Sequence, residues 1–229
     1  MLNSKEFDLW ADGYDKSVQL SEESNTYPFA GYREVLGSIY RTVRENGGRK
    51  LLDIGFGTGV LTQKFYQDGC QIFGMDFSEQ MIRIAQAKMP EAHLIQHDFT
   101  LGFPADFEKE TFDFIICTYA IHHLDTRQKV SFIRQLQRHL NPGGQILIGD
   151  VVFERKADLQ KCRKESGEQW DNEEIYLVEE TLKPQIPNLE FHRITFCSGV
   201  VSVKNKHLGL RLHKERAYRT IRSFCLHII

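Results

Sequence analysis

Two hydrophobic rhythms take turns along this chain. Between positions 28 and 46, Tyr32, Val35, Leu36, Ile39, Tyr40 and Val43 recur at helical spacing. That stripe predicts an amphipathic helix, closed by Asn46, Gly47 and Gly48. Short apolar runs then alternate with helical stripes. Runs over 51–54, 71–75, 92–96, 112–118 and 145–152 read as buried strands. Between them fall a helix from about 58 to 67, with Leu61 and Phe65 on one face, and a helix capped by Ser78 that buries Met81, Ile82, Ala85 and Met89. A third begins at Asp125, where Gln128 three residues on completes a capping-box pattern ahead of Val130, Ile133, Leu136 and Leu140. Asn141, Pro142, Gly143 and Gly144 read as the turn into the fifth strand.

This order predicts an α/β fold, with a mostly parallel sheet covered on both faces. Ligands of such a sheet bind beyond the carboxyl ends of its strands, near the point where strand order reverses. The later part is less regular. Residues 154–185 are highly charged, with a helix expected over 171–183; 190–197 reads as a strand with 199–203 as its partner.

Composition narrows the classes. A chain of 229 residues, 41% hydrophobic and 26% charged, suits one soluble domain with appendages. The net charge of −2 supplies no global attraction to nucleic acid or anionic membrane. No apolar run reaches membrane-spanning length, and the first residues lack an apolar signal core. Cys70, Cys117, Cys162, Cys197 and Cys225 are odd in number and scattered, as expected of reduced thiols in a cytoplasmic protein. Beyond position 203 lysines and arginines dominate; this basic tail reads either as a solvated segment or as an added helix touching acidic partners or RNA.

The chemistry centres on one stretch. Leu51, Leu52, Asp53 and Ile54 end in Gly55, Phe56, Gly57, Thr58 and Gly59. Strand, glycine turn and a helix starting near Thr58 would form a nucleotide cradle lined by backbone N–H groups. The glycines fall as GxGxG behind an acid, rather than as the GxGxxG of dinucleotide sites. The stretch from Asp53 to Gly59 resembles the first motif of the class I S-adenosylmethionine-dependent methyltransferases. Trp10, Ala11, Tyr14 and Asp15 are similar to that family's W-A-x-x-Y-D entry segment, and the His122-His123-Leu124 loop to small bacterial methyltransferases within it. The resemblance implies a Rossmann-like, doubly wound, seven-stranded sheet whose last strand is antiparallel, with N-terminal helices. It divides the chain into an N-terminal lid and first helix over 1–46, a cofactor-binding domain over 47–203, and a basic tail over 204–229.

Asp76 ends the second strand at the interval expected of a ribose-binding carboxylate, and Phe77 stands beside it to pack on adenine. From the resemblance, Asp98 accepts from the adenine amino group and the Phe99 N–H reaches a ring nitrogen. Asp53, the Gly55 carbonyl and backbone near Thr118 meet the methionine ammonium, and Tyr14 closes over the cofactor unless it is a packing aromatic. The cofactor-binding set is thus Tyr14, Asp53, Gly55, Gly57, Gly59, Asp76, Phe77, Asp98, Phe99 and Thr118. His122 and His123 are adjacent, and adjacent side chains do not converge on a metal, so no metal is expected. Either histidine could serve as a general base or be a hydrogen-bonded loop residue, and Asp150 at the end of the fifth strand is a further pocket candidate.

The expected activity is methyl transfer from S-adenosyl-L-methionine to a small-molecule acceptor by a monomer or homodimer in the cytoplasm. Two alternatives stand beside it: methylation of RNA or protein docked by the basic tail, and a non-catalytic module that binds the cofactor. A nicotinamide enzyme is disfavoured by the glycine spacing.

Overall fold

In the computed structural model, residues 25–205 are described; Tyr14, the entry segment and the tail beyond 205 lie outside them. A helix α1 (Tyr32–Glu45) precedes the alternation β1 (Lys50–Ile54), α2 (Thr62–Gln67), β2 (Gln71–Asp76), α3 (Glu79–Lys88), β3 (His93–Gln96), β4 (Phe112–Thr118), α4 (Thr126–Arg138) and β5 (Leu140–Phe153). Then come α5 (Lys156–Ser166), a two-residue β6 (Leu177–Val178), α6 (Glu179–Leu182) and the hairpin β7 (Leu189–Arg193) and β8 (Ser198–Lys204). The sheet runs β3-β2-β1-β4-β5-β8-β7, with β6 added beside β5. Strands β1 to β5 pair in parallel, and β8 runs antiparallel to both β5 and β7. The seven-stranded frame thus has the expected shape, with its last strand, β8, antiparallel and placed between β5 and β7; the short β6 beside β5 is an addition.

Side chains that alternate along each strand explain the two layers. Ile115 and Cys117 of β4 join a core with Ile133 and Leu136 of α4; Phe114 and Ile116 join the opposite core with Val35 and Ile39 of α1 and Phe65 of α2. Strand order reverses at β1, which pairs with β2 on one side and β4 on the other. The carboxyl ends of β1, β2, β4 and β5 therefore surround one crevice.

Several boundaries differ from expectation. The helix after the glycine loop begins at Thr62 rather than near Thr58, because Gly55, Gly57 and Gly59 all take left-handed φ values of 66°, 57° and 77° that a helix cannot contain. The cradle is thus a loop of turns, not a helix terminus. The expected turn at 141–144 lies inside β5, where the register with β4 slips between Phe112 and Phe114. The helix expected over 171–183 is cut down to the single turn Glu179–Leu182: the charged region is helical over Lys156–Ser166, while Tyr176, Leu177 and Val178 are buried as an extended run against Val152 and Phe153. The strand expected over 190–197 ends at Arg193, because Ile194 and Thr195 donate their N–H groups to Ser198 O and turn the hairpin.

Candidate active site

A cavity of about 600 Å³ occupies the crevice at the carboxyl ends of the strands. Asp53, Gly55, Gly57, Asp76, Phe77, Phe99 and Thr118 line one half. Gly55 is fixed by its N–H to Met75 O at 2.8 Å, and a Cβ there would sit 2.6 Å from that of Ala120. Gly57 is different: a Cβ would meet nothing within 4 Å, so its bare backbone faces open cavity.

Asp76 accepts from Gly57 N–H at 2.9 Å and from Ser78 N–H at 3.0 Å, so the glycine loop is tied to the end of β2. Ser78 itself caps α3 by accepting from Met81 N–H, which leaves Asp76 free of that capping duty. Asp53 is almost wholly buried; one oxygen accepts from the Thr62 hydroxyl and the other, Oδ1, has no hydrogen-bond partner. Burial therefore pushes its carboxyl up to about 7, against the pull of Thr62.

Two expected cofactor residues stand off the cavity. Gly59 is packed behind the loop, where a Cβ would lie 3.1 Å from Met89 Cε. Asp98 is exposed and caps the 3-10 turn Phe99–Leu101 by accepting from Thr100 N–H at 2.9 Å, while Phe99 is buried against the cavity.

The other half is built on the loop after β4. Tyr119 is held at φ +49° with its N–H on Gly149 O, a left-handed conformation that costs a non-glycine residue on the order of 1 kcal/mol or more. Its ring meets Phe29 at 5.3 Å and Tyr32 at 5.1 Å, which makes an aromatic wall. The turn Ile121–His123 then presents both histidines to the cavity.

Asp150 does not line the cavity; it is fully buried in β5 and reaches the space only through His122, whose Nδ1 lies 2.9 Å from its Oδ1. This contact directs Nε2 toward Glu174 Oε1 at 3.4 Å. Burial alone would depress the His122 imidazole, but Asp150 and Glu174 outweigh it and the net shift is upward. His123 is held down to about 4 by burial and by the His122 charge, so it stays neutral at pH 7.

The periodicity gave no sign of Glu174. It rides on the extended segment before β6, which is laced to the histidine loop: Ile175 N–H donates to His122 O at 3.0 Å, and the buried Lys129 donates to Ile175 O at 2.6 Å and to Leu124 O. Tyr176 donates to Glu174, Tyr27 bonds to Tyr176, and Asp171 N–H closes the chain on the Tyr27 hydroxyl at 3.1 Å. An acid inside the charged tract would have been a fair sequence signal; nothing there singles out position 174. Among the described residues, no group of three His, Cys, Asp or Glu side chains could hold a metal ion.

The residues present fit an S-adenosylmethionine molecule: an open glycine backbone, an orphaned buried carboxylate oxygen for an ammonium, and Asp76 beside Phe77 at a strand end. Residues 51–144 match the family model described as a methyltransferase domain. An uncharacterized methyltransferase of Alkaliphilus oremlandii is 34% identical over 179 residues, which cover 78% of this chain and 79% of that protein. Among solved structures, the magnesium protoporphyrin IX methyltransferase of Synechocystis with bound S-adenosylhomocysteine superposes with a TM-score of 0.61 at 17% identity, over 78% of this chain and 85% of that one. A methyltransferase of Clostridium acetobutylicum gives 0.63 at 15% identity, over 83% and 98%. With the motif, the cavity and these relatives together, the chain belongs to the class I S-adenosylmethionine-dependent methyltransferases, enzymes that take their methyl group from this cofactor.

Proposed function

We propose that the protein methylates a small-molecule acceptor bound in the half of the cavity beyond the glycine loop. The observation that carries this reading is the cavity itself: one continuous space of about 600 Å³ joins the cradle to the histidine loop, the size of a small-ligand site. Among the described residues that line it there is no lysine or arginine, so it offers a phosphodiester backbone no cationic partner. That disfavours an RNA acceptor entering this space. The Synechocystis neighbour, whose acceptor is magnesium protoporphyrin IX, is also a small-molecule enzyme.

When bound, S-adenosylmethionine supplies a methyl group already activated on a sulfonium sulfur. The protein's share is to bind, align and exclude water. In this reading Asp76 holds the ribose hydroxyls, Phe77 and Phe99 flank the adenine, and Asp53 with the Gly55 and Thr118 backbone receives the ammonium. Gly57 leaves room for the cofactor to approach and Gly59 serves by packing; Asp98 caps its own turn outside this space, and the lid role expected of Tyr14 falls outside the described residues. His122 presents Nε2 to Glu174 at the cavity, Asp150 fixes its orientation through Nδ1, and the neutral His123 adds a hydrogen-bonding wall. In this reading 1–46 hold the lid and first helix, 47–203 the S-adenosylmethionine-binding domain and 204–229 the basic tail, with 1–24 and 206–229 outside the described residues; the scattered thiols suit a cytoplasmic setting.

Calorimetric titration with S-adenosylmethionine, with NADH as control, tests the cofactor half. Micromolar binding of the first alone is expected. An acceptor screen read by S-adenosylhomocysteine release tests the other half; turnover with RNA or protein and with no small molecule would overturn the acceptor assignment. Replacing His122 by Gln is expected to lower turnover by about 100-fold or more with cofactor affinity unchanged.

A further inference from the structure

The acceptor half of the cavity has a consistent electrostatic sign. Asp125, Asp171, Glu173 and Glu174 line it, Asp150 stands directly behind His122, and no lysine or arginine among the described residues faces the space. The one buried cation nearby, Lys129, is turned away onto the carbonyls of Leu124 and Ile175. Among the described residues, the lining offers a negatively charged acceptor no lysine or arginine. A cation would find carboxylates, together with the rings of Phe29, Tyr32 and Tyr119, which are in mutual contact at 5.1 to 6.0 Å.

Glu174 differs from its acidic neighbours in being built in. Its Oε2 accepts the Tyr176 hydroxyl, which is hydrogen-bonded to the Tyr27 hydroxyl, and Tyr27 in turn accepts the Asp171 N–H. Its Oε1 faces His122 Nε2 at 3.4 Å. Asp150 claims the Nδ1 hydrogen, so a neutral imidazole would aim a lone pair at a carboxylate oxygen. A proton between the two relieves that clash. His122 is then an imidazolium held by two carboxylates, and Glu174 keeps an acceptor lone pair on the cavity side.

On the reading that this cavity holds cofactor and acceptor together, we propose that the acceptor is a small primary or secondary amine, with Glu174 as its counter-ion and as the base that takes its proton. The amine arrives as an ammonium and pairs with Glu174. The ammonium N–H bond breaks, its electron pair stays on nitrogen, and the proton passes to the Glu174 carboxylate. The freed lone pair forms the new N–C bond while the C–S bond breaks with its electrons on sulfur. The products are the methylated ammonium, the neutral thioether and one proton, which leaves Glu174 for solvent.

The test uses the full chain saturated with S-adenosylhomocysteine and reads binding by calorimetry. Butylamine, benzylamine and 2-phenylethylamine are each titrated against the alcohol and the carboxylate of matched skeleton. At least one amine should bind saturably, with its carboxylate and alcohol at least tenfold weaker. Glu174→Gln should weaken that amine by at least about tenfold, the effect of removing one partner of a desolvated charge pair, with S-adenosylhomocysteine affinity unchanged. Equal or tighter binding of the carboxylates or alcohols, no saturable amine, or wild-type amine affinity in Glu174→Gln would each overturn the proposal. The comparison of acceptor classes needs no variant, so it decides even if Glu174→Gln folds poorly. Failure of S-adenosylhomocysteine itself to bind would instead overturn the cofactor-site reading on which this inference stands.

Discussion

Asp76 accepts two backbone N–H groups, while one oxygen of its neighbour Asp53 accepts none. The two carboxylates, one strand apart, therefore answer differently to substitution and to pH. Asp76→Ala removes the acceptor that ties Gly57 to β2. It is expected to weaken S-adenosylmethionine binding at least about tenfold and to destabilise the free protein by about 1–3 kcal/mol, the cost of leaving buried donors unmet. Calorimetry and urea unfolding read the two effects separately. For Asp53 the sign is set by a folded pKa raised from 3.8 to about 7. Between those values the folded chain holds a proton that the unfolded chain has released, so this residue makes the fold less stable as pH rises across that window. Urea midpoints measured over the same range should show that decline, and Asp53→Asn should flatten it. If the cofactor's ammonium pairs with Asp53, binding near pH 6 should also release protons. Titrations in buffers of different ionisation enthalpy would detect that release, and Asp53→Asn should lack it.

Elements in this fold approach closely where a side chain is missing. α1 crosses the sheet over Gly149 of β5, where a Cβ would lie 2.5 Å from Val35 Cγ1 and 2.9 Å from Ile39 Cδ1. Gly149→Val should push α1 off the sheet and cost about 1–3 kcal/mol by overpacking. Because Phe29 and Tyr32 of the aromatic wall are carried at the start of α1, the same variant should also weaken acceptor binding. Thermal unfolding and an acceptor titration measure the pair, and an unchanged melting temperature would contradict this packing account. The capping box at Asp125 was legible beforehand because it is local: Asp125 and Gln128 exchange bonds within one turn. The extended segment bearing Glu174 was not legible, because it is held by partners on β5, the histidine loop and Lys129 that lie far away in the chain.

At the scale of the whole molecule, the cofactor half and the acceptor half share one sheet edge, so ligand binding and stability are linked. A ligand present at about 100 times its Kd stabilises the folded state by about 2.7 kcal/mol. For a chain of this size that corresponds to a rise in melting temperature on the order of 5–10 °C. Differential scanning fluorimetry with S-adenosylmethionine should show it, and NADH at the same concentration should not; equal shifts with both would contradict the assignment of the glycine loop.

The order of strands and helices, the glycine loop, the strand-end acid at 76 and the caps at 78 and 125 were all written in local pattern. Periodicity, turn chemistry and capping are properties of a few neighbouring residues, so they survive without knowledge of the fold. The same locality explains where the reading stopped. Asp98 caps its own turn through Thr100, two residues on. Whether Asp150 touched the cavity or stood behind His122, and whether 171–176 was helix or an extended arm, depended on partners distant in sequence. Tertiary packing decided these, because the burial of Tyr176, Leu177 and Val178 against β5 outweighs the weak helical preference of a charged tract. It is that arm, and not any motif, that brings Glu174 to His122 and gives the acceptor half its charge.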